Sequence, residues 1–543
     1  MAPSKSSSWS IASLPQDLGR FAWKQIYYLL SRPNKAYGDV FLEGNFAPVA
    51  DELFDQELEL LEGSIPQELD GAFLRVGPNP ALAPVGGYHW FDGDGMVHAC
   101  RIKGGRATYC NRWVDTARLR QERDAGYAHC LKLGDYVGLS GLALLMLNKA
   151  RHRLGLVDAS QGLGTANTAM VAHAGRLMAL NEGDMPYALK LACDGLLETV
   201  GRVSLGKAWA GRSFTAHPKL DPETGKLYFF RYTFDAPPYA TAGVLGAGGE
   251  VEAEMALDLP RPVMMHDMAI SRSYMIFMDH PLVFDGERMV KGALPFKFAP
   301  EHGSRIGLLR KDARDAAGMT WFKLPAFMVF HVANAWEEDD GKVKLFVCYH
   351  DSISLDLDTR TTATGGIPKG EQPRLAVVTL DPASGAADLR VLSEAVGDFP
   401  TIDPRRAGLK TRYAYLASMV TKNRAVKWEG ASKLDLTAAG LDTGVDACVG
   451  RIRLPPGHHN GETVFVPRHD DPAQCASDDD GFLITFVHDE AAGSSYLGIW
   501  DAATMDDAPL AKLALPRRVP YGFHALWAGA PALKASLARA AAA

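Results

Sequence analysis

No stretch of this 543-residue chain approaches the roughly 18 to 20 consecutive apolar residues that a membrane-spanning helix requires, and its N-terminus lacks the apolar core of a secretory signal. The expectation is a protein that is soluble or lies on a membrane surface. Cysteine is scarce: seven residues, scattered and never paired as C-x-x-C, which predicts a reduced compartment and argues against cysteine-ligated zinc. Positive charge is not in excess either, since the formal net charge is -7, so nucleic acid has no electrostatic case as a partner. The first sixteen residues are rich in serine and hold no acid. A cytoplasmic protein peripherally associated with membranes is expected, with a plastid as the alternative. What is present, 47% hydrophobic against 22% charged residues, suffices for a large buried core.

Residues 1–45 read as an arm. A polar lead precedes Phe21-Ala22-Trp23-Lys24-Gln25-Ile26-Tyr27-Tyr28-Leu29-Leu30, which suits a short amphipathic helix, and Ser31-Arg32-Pro33-Asn34 stops it. Residues 46–543 read as one domain dominated by short β segments. Runs such as Leu227-Tyr228-Phe229-Phe230-Arg231-Tyr232, Lys344-Leu345-Phe346-Val347-Cys348-Tyr349 and Phe482-Leu483-Ile484-Thr485-Phe486-Val487 have the length and composition of strands. Three turns share one pattern: Asp221-Pro222-Glu223-Thr224-Gly225, Asp381-Pro382-Ala383-Ser384-Gly385 and the looser Asp501-Ala502-Ala503-Thr504-Met505. Reuse of one turn along an all-β chain points to radially repeated sheets, a β-propeller, with a sandwich or a large barrel as alternatives. One segment departs from the pattern. Gly141 to Gly155 predicts a helix whose apolar run is followed by Lys149, Arg151, His152 and Arg153. Such a helix either places leucines among acyl chains and cations at lipid phosphates, or packs on the body with its charges in solvent.

Of the sixteen histidines, four stand in strand-like or turn contexts that could aim them at one point. They are His217 in Ala216-His217-Pro218-Lys219, His266 in Met265-His266-Asp267, His331 in Phe330-His331-Val332 and His524 in Gly522-Phe523-His524. Separations of 49, 65 and 193 residues rule out a single helix or loop, so they meet only if separate elements point inward. Spacing alone does not single them out. Val97-His98 and Gly457-His458-His459-Asn460 are as metal-like locally, although the latter reads as a loop. Four converging neutral imidazoles suit iron, copper, zinc or nickel, leave the ion's charge unneutralised and keep positions open for dioxygen. Acids one step out would then accept the free imidazole N–H groups. Glu182 and Glu462, in apolar flanks, are candidates, the alternative for each being an exposed turn acid.

At these residues, and in Arg75-Val76-Gly77-Pro78-Asn79-Pro80, Tyr88-His89-Trp90-Phe91-Asp92-Gly93-Asp94-Gly95-Met96, Gly162-Leu163-Gly164-Thr165-Ala166-Asn167-Thr168 and Asn334-Ala335-Trp336-Glu337-Glu338, the sequence resembles the carotenoid cleavage oxygenase family. The likeness is strongest to the plant and algal carotenoid 9,10(9',10') cleavage dioxygenases and 9-cis-epoxycarotenoid dioxygenases, and it covers nearly everything from about residue 45. The resemblance implies a seven-bladed β-propeller with a helical cap over an axial iron(II) site. It implies His217, His266, His331 and His524 as metal ligands, and Glu182 and Glu462 as two of three acids behind them. The third falls on Gly397-Asp398-Phe399-Pro400, where Asp398 replaces a longer acid and is expected to reach its histidine only through a water or a backbone shift. Thr168 takes the place of a small residue near the open coordination position, where it would bias dioxygen binding or simply pack.

The resemblance also implies the reaction: dioxygen and a carotenoid or apocarotenoid give two carbonyl products, the 9,10 (9',10') bond being favoured. It further implies that the helix at 141–155 dips into a membrane surface to collect substrate. Three alternatives stand beside it: 11,12 cleavage of a 9-cis-epoxycarotenoid, a stilbene-cleaving oxygenase of the same family, and a non-catalytic carotenoid-binding propeller. The stilbene branch uses a tyrosine and a lysine at stretches that here read Asn111-Arg112-Trp113 and Gly162-Leu163-Gly164-Thr165, which favours a polyene.

Overall fold

The structure is a computed structural model and describes residues 14–192, 195–206, 209, 212–356, 367–420 and 426–541. Its logic is visible in one strand. In Leu227–Tyr232, Leu227 and Phe229 pack against Met178 and Leu180 of the preceding sheet, while Tyr228 and Phe230 pack against Met275 and Phe277 of the following one. Side chains alternate faces along a strand, so a run that is apolar at every position needs a sheet on each side.

The rule repeats through seven sheets. The second begins at Ala169–His173, the third at Lys219–Leu220 and the fourth at Ala269–Ile270. The fifth begins at Met328–Glu337, and the sixteen-residue strand Ala386–Thr401 closes it and opens the sixth. The seventh runs from Val464–Pro467 outward and takes Leu60–Gly63, from near the start of the chain, as its outer edge. The first contains Gly71–Pro78 paired antiparallel to Ala525–Gly529, from near the end of the chain. Apolar clusters lie between each neighbouring pair, and one joins Phe73, Cys100 and Ile102 of the first sheet to Phe482, Ile484 and Leu497 of the seventh. The fold is the expected seven-bladed β-propeller.

The three related turns are one device. In each, the aspartate side chain accepts two backbone N–H groups, and the fifth residue donates to the aspartate carbonyl with positive φ. That conformation suits Gly225 and Gly385 and is tolerated by Met505. A fourth copy, Asp489 to Gly493, repeats the two side-chain bonds and the positive φ.

Three helices cover one end: α1 (Leu14–Ser31), α2 (Ala117–Ala125) and α3 (Gly138–Arg153). Val137, at the entry to α3, packs with Met264, Met328 and Leu355. α3 therefore starts and ends earlier than the 141–155 expected. Of its four basic residues, Arg151 corrects the expectation of a lipid- or solvent-facing cation. It is buried, donates to the His129 carbonyl at 2.9 Å and lies 4.7 Å from the Trp23 ring. The arm docks through Trp23 and Tyr27, which pack on Leu144 of α3.

The Tyr27 hydroxyl donates to Asp135 at 2.8 Å and accepts from the buried Lys132 ammonium at 2.8 Å, which pairs with Asp135 at 3.0 Å. Tyr27→Phe leaves that ion pair intact but removes its third member. The expected cost is about 1 to 2 kcal/mol in α1 docking, read as faster amide exchange in α1.

Candidate metal centre

Each innermost strand carries a residue of the candidate site at the same end. Thr168, His217, His266 and His524 lie just before Ala169–His173, Lys219–Leu220, Ala269–Ile270 and Ala525–Gly529, His331 and Asp398 lie within theirs, and Glu462 precedes Val464–Pro467. The propeller axis thus gathers residues that sequence separation hides.

The four histidines offer ring nitrogens that all lie within 4.8 Å of one another. His217 Nε2 is 3.1 Å from His266 Nε2, and the His217 ring centroid lies 4.5 Å from that of His524 and 5.2 Å from that of His331. Carboxylates stand behind three of the rings, hydrogen-bonded to those of His331 and His524 and in close ionic contact with that of His266. Glu182 Oε1 is 2.5 Å from His266 Nδ1, Asp398 Oδ1 is 2.8 Å from His331 Nδ1, and Glu462 Oε1 is 3.0 Å from His524 Nδ1. A proton held at Nδ1 leaves Nε2 bare, so these rings turn lone pairs toward a common centre. The buried Nε2 of His331 has no hydrogen-bond partner among the described residues. Close-set, bare imidazole nitrogens repel unless a cation lies among them, and the donor set fits a borderline divalent metal.

Burial, followed by the three neighbouring imidazoles, holds His217 well below the usual histidine range, which keeps it neutral. Burial also lowers His331 against the opposing pull of Asp398. For His266 burial acts downward too, but the contact with Glu182 carries it above its ordinary value. Burial would raise the Asp398 carboxyl; His331 beside it prevails and brings it to about 2. Asp398 is therefore ionised.

The shorter acid reaches its histidine directly, without a bridging water. The backbone accommodates it: pairing register shifts between Asp398 and Thr401, and Phe399 takes φ +54°. Thr168 lines the cavity described below, but its hydroxyl is engaged with Asn167 at 2.9 Å and Asn181 at 3.3 Å. His98 bonds the Tyr109 hydroxyl at 2.7 Å and stands apart from the cluster. Gly457-His458-His459-Asn460 is not the expected loop. His458–Asn460 is a short strand bridging its neighbours, because Asn460 pairs with Trp428 while His458 pairs with Asp489.

Two supports escaped sequence reasoning. The hydroxyl of half-buried Tyr232 donates to Glu182 Oε2 at 2.5 Å, which orients that acid on His266. Asp267 accepts the Lys219 ammonium at 2.7 Å and the Val332 N–H at 2.8 Å, so one buried carboxylate ties together the segments that follow His217, His266 and His331. The motif Met265-His266-Asp267 contained that signal.

His266, His331 and His524 form part of the wall of a cavity of about 340 Å³, and His217 lies behind them. Most of the remaining wall is apolar, with Trp90, Phe330, Phe399, Trp428 and Phe523 prominent. Among the described residues the wall contains neither tyrosine nor lysine. Asn111-Arg112-Trp113 and Gly162-Leu163-Gly164-Thr165 lie outside it, so the contrast with a phenol-binding site rests on the wall itself. Polar side chains interrupt it, two of them histidines outside the cluster. His89 Nδ1 accepts from the Phe91 N–H at 3.1 Å and His350 Nδ1 contacts the Glu371 carbonyl at 2.8 Å, while the buried Nε2 of each has no hydrogen-bond partner among the described residues.

The sequence profile of the retinal pigment epithelial membrane protein (RPE65) family matches residues 46–529. The carotenoid 9,10(9',10')-cleavage dioxygenase 1 of Phaseolus vulgaris is 41% identical over 495 residues, covering 90% of this chain and 89% of its own. Among solved structures, the lignostilbene dioxygenase of Pseudomonas brassicacearum is similar with TM-score 0.74 and 26% identity, covering 91% of this chain and 99% of its own. Cobalt-substituted apocarotenoid oxygenase of Synechocystis has TM-score 0.70 and 25% identity, covering 89% and 97%.

Proposed function

Because the chain belongs to the retinal pigment epithelial membrane protein family, which includes the carotenoid cleavage oxygenases, we propose that it is an iron(II) dioxygenase that splits one double bond of a carotenoid or apocarotenoid into two carbonyls, the 9,10 (9',10') bond favoured. The observation that carries this reading is the convergence of His217, His266, His331 and His524 beside an aromatic-walled apolar cavity.

In this proposal the four histidines hold the metal. Iron(II), when bound, supplies the dioxygen chemistry that adds one oxygen atom to each carbon of the cleaved bond. The chain does the rest. Glu182, Asp398 and Glu462 hold three imidazoles in the tautomer that leaves Nε2 free. The aromatic wall binds the polyene by its faces and excludes water, so positioning replaces acid–base catalysis. Thr168, its hydroxyl already satisfied, shapes the space beside the metal. The unpaired nitrogens of His89 and His350 suit a substrate that carries an oxygen function.

No helix among the described residues is long and apolar enough to cross a membrane. Leu18, Phe21 and Leu29 of α1 and Leu139 and Met146 of α3 are nonetheless exposed, which supports docking on a membrane surface from which an insoluble polyene is drawn.

The test is purified, iron-loaded enzyme given a carotenoid panel, apocarotenals with and without a ring hydroxyl, a 9-cis-epoxycarotenoid and resveratrol, with oxygen uptake and products by mass spectrometry. Cleavage of a polyene at one bond is expected, hydroxylated substrates being preferred, with resveratrol untouched. Stoichiometric iron without oxygen uptake on any polyene would leave a binding propeller, and turnover of resveratrol alone would leave the stilbene reading.

A further inference from the structure

A second cavity, of about 330 Å³, lies between α1, α2 and the segment Tyr127 to Cys130, away from the histidine cluster. Its wall includes Arg20 and Lys24 of α1 and the buried Arg151 of α3, with Trp23 and Tyr127 between them and, among the described residues, Asp124 as the one acid. The Arg151 side chain donates to the His129 carbonyl, to His129 Nδ1 and, at 3.5 Å, to Asn148 Oδ1, and its Nε has no partner among the described residues. No carboxylate pairs with it among the described residues. The neighbouring acid, Glu122, accepts the backbone N–H groups of His129 and Cys130 at 2.8 and 2.7 Å and faces Arg118 at 3.8 Å. Lys24 stands 4.8 Å from the Tyr127 ring and has no ion-pair partner among the described residues either.

A buried guanidinium without a paired counter-charge is costly, and among the described residues no carboxylate comes within ion-pair distance of this one, Glu122 acting on it only from further off. Its remaining donors, together with two further cations at the mouth of the same cavity, make a receptor for a compact, multiply charged anion. Phosphate has the required charge and acceptor oxygens. Two sources share this chemistry, a phospholipid headgroup and a soluble phosphate ester.

We propose that the cavity between α1, α2 and α3 binds a phosphate group, with Arg151 as the deep ligand and Lys24 and Arg20 at the mouth. The exposed Leu18, Phe21 and Leu29 on α1 make a headgroup the favoured source, since acyl chains would leave the cavity along them. That choice of source rests on the membrane reading given above. The phosphate site itself does not.

The experiment uses the full chain and three measurements: thermal stability in inorganic phosphate, flotation with vesicles of phosphatidylcholine alone or with phosphatidic acid, and cleavage of detergent-dispersed substrate. The paired variant is Arg20→Ala with Lys24→Ala, the first exposed and the second half-buried, and Arg151→Met is run beside it. Phosphate should raise the melting temperature of the parent and not of the paired variant. Binding to phosphatidic acid vesicles should fall about fivefold for each cation removed, while cleavage in detergent is unchanged. Loss of the phosphate effect with equal flotation on both vesicles supports the site with a soluble ester as its ligand. Phosphate that stabilises neither protein, or an equal loss of binding when Lys149→Ala and Arg153→Ala are made outside the cavity, overturns the proposal. Failure of cleavage on every substrate would instead touch only the iron reading.

Discussion

His331→Ala and His524→Ala are each expected to abolish iron binding and cleavage together, with losses well beyond the roughly 100-fold that removal of a ligand's hydrogen-bond partner costs. The expectation follows from the number and direction of the donors. The rings of His331 and His524 are held by carboxylate hydrogen bonds at Nδ1 so that Nε2 faces inward, Glu182 closely contacts His266, and the nitrogens of all four lie within 4.8 Å of one another. Removing one leaves a three-nitrogen set and strands a buried carboxylate, Asp398 or Glu462, beside an empty volume. The fold should survive, because the histidines lie at the axial end of their strands while the apolar clusters between sheets hold the ring of blades together. The measurement is metal content by mass spectrometry with apocarotenoid product yield, checked by circular dichroism. Full iron and near-parental cleavage in either variant would remove that histidine from the ligand set.

The fold was legible where local chemistry determines it. Runs apolar at every position, such as Leu227 to Phe230, require a sheet on both sides, and the Asp-x-x-x-Gly turns require one conformation wherever they occur. The site was less legible because no local property of His217 distinguishes it from His98. What differs is position at the axial end of an innermost strand, a property of topology. The bridging strand at His458 was unreadable for a related reason, since it pairs through Asn460 and His458 with two strands distant in sequence. Arg151 defeated expectation because a cation on an amphipathic helix is ordinarily solvated, and only tertiary packing of α1 over it makes it buried. Tyr232 was invisible as a partner of Glu182 because 50 residues separate them.

Asp398 is the position where chain and family expectation diverge, and its substitutions separate charge from geometry. Its carboxylate does two things: it accepts from His331 Nδ1 at 2.8 Å and from the Phe399 N–H at 2.8 Å. Asp398→Asn retains an oxygen that can accept from the ring but removes the charge that favours the metal-bound imidazole. The expected loss is about 10-fold in iron affinity and turnover. Asp398→Ala leaves both donors buried and unpaired, and the loss should approach about 100-fold. Asp398→Glu is the informative member. If a longer acid were simply the better one, it would raise activity. The backbone here is already turned to the shorter side chain, with Phe399 at φ +54° and the pairing register shifted beside it, so an added methylene pushes the carboxylate into the His331 ring. Asp398→Glu is therefore expected to fall below the parent in iron affinity, and to recover only when a second change relaxes the turn, such as Phe399→Gly, which adopts positive φ without strain. Iron titration of the four variants checks the order. Parental or better affinity in Asp398→Glu alone would show that the turn yields to the side chain, and that Asp398 is an interchangeable acid.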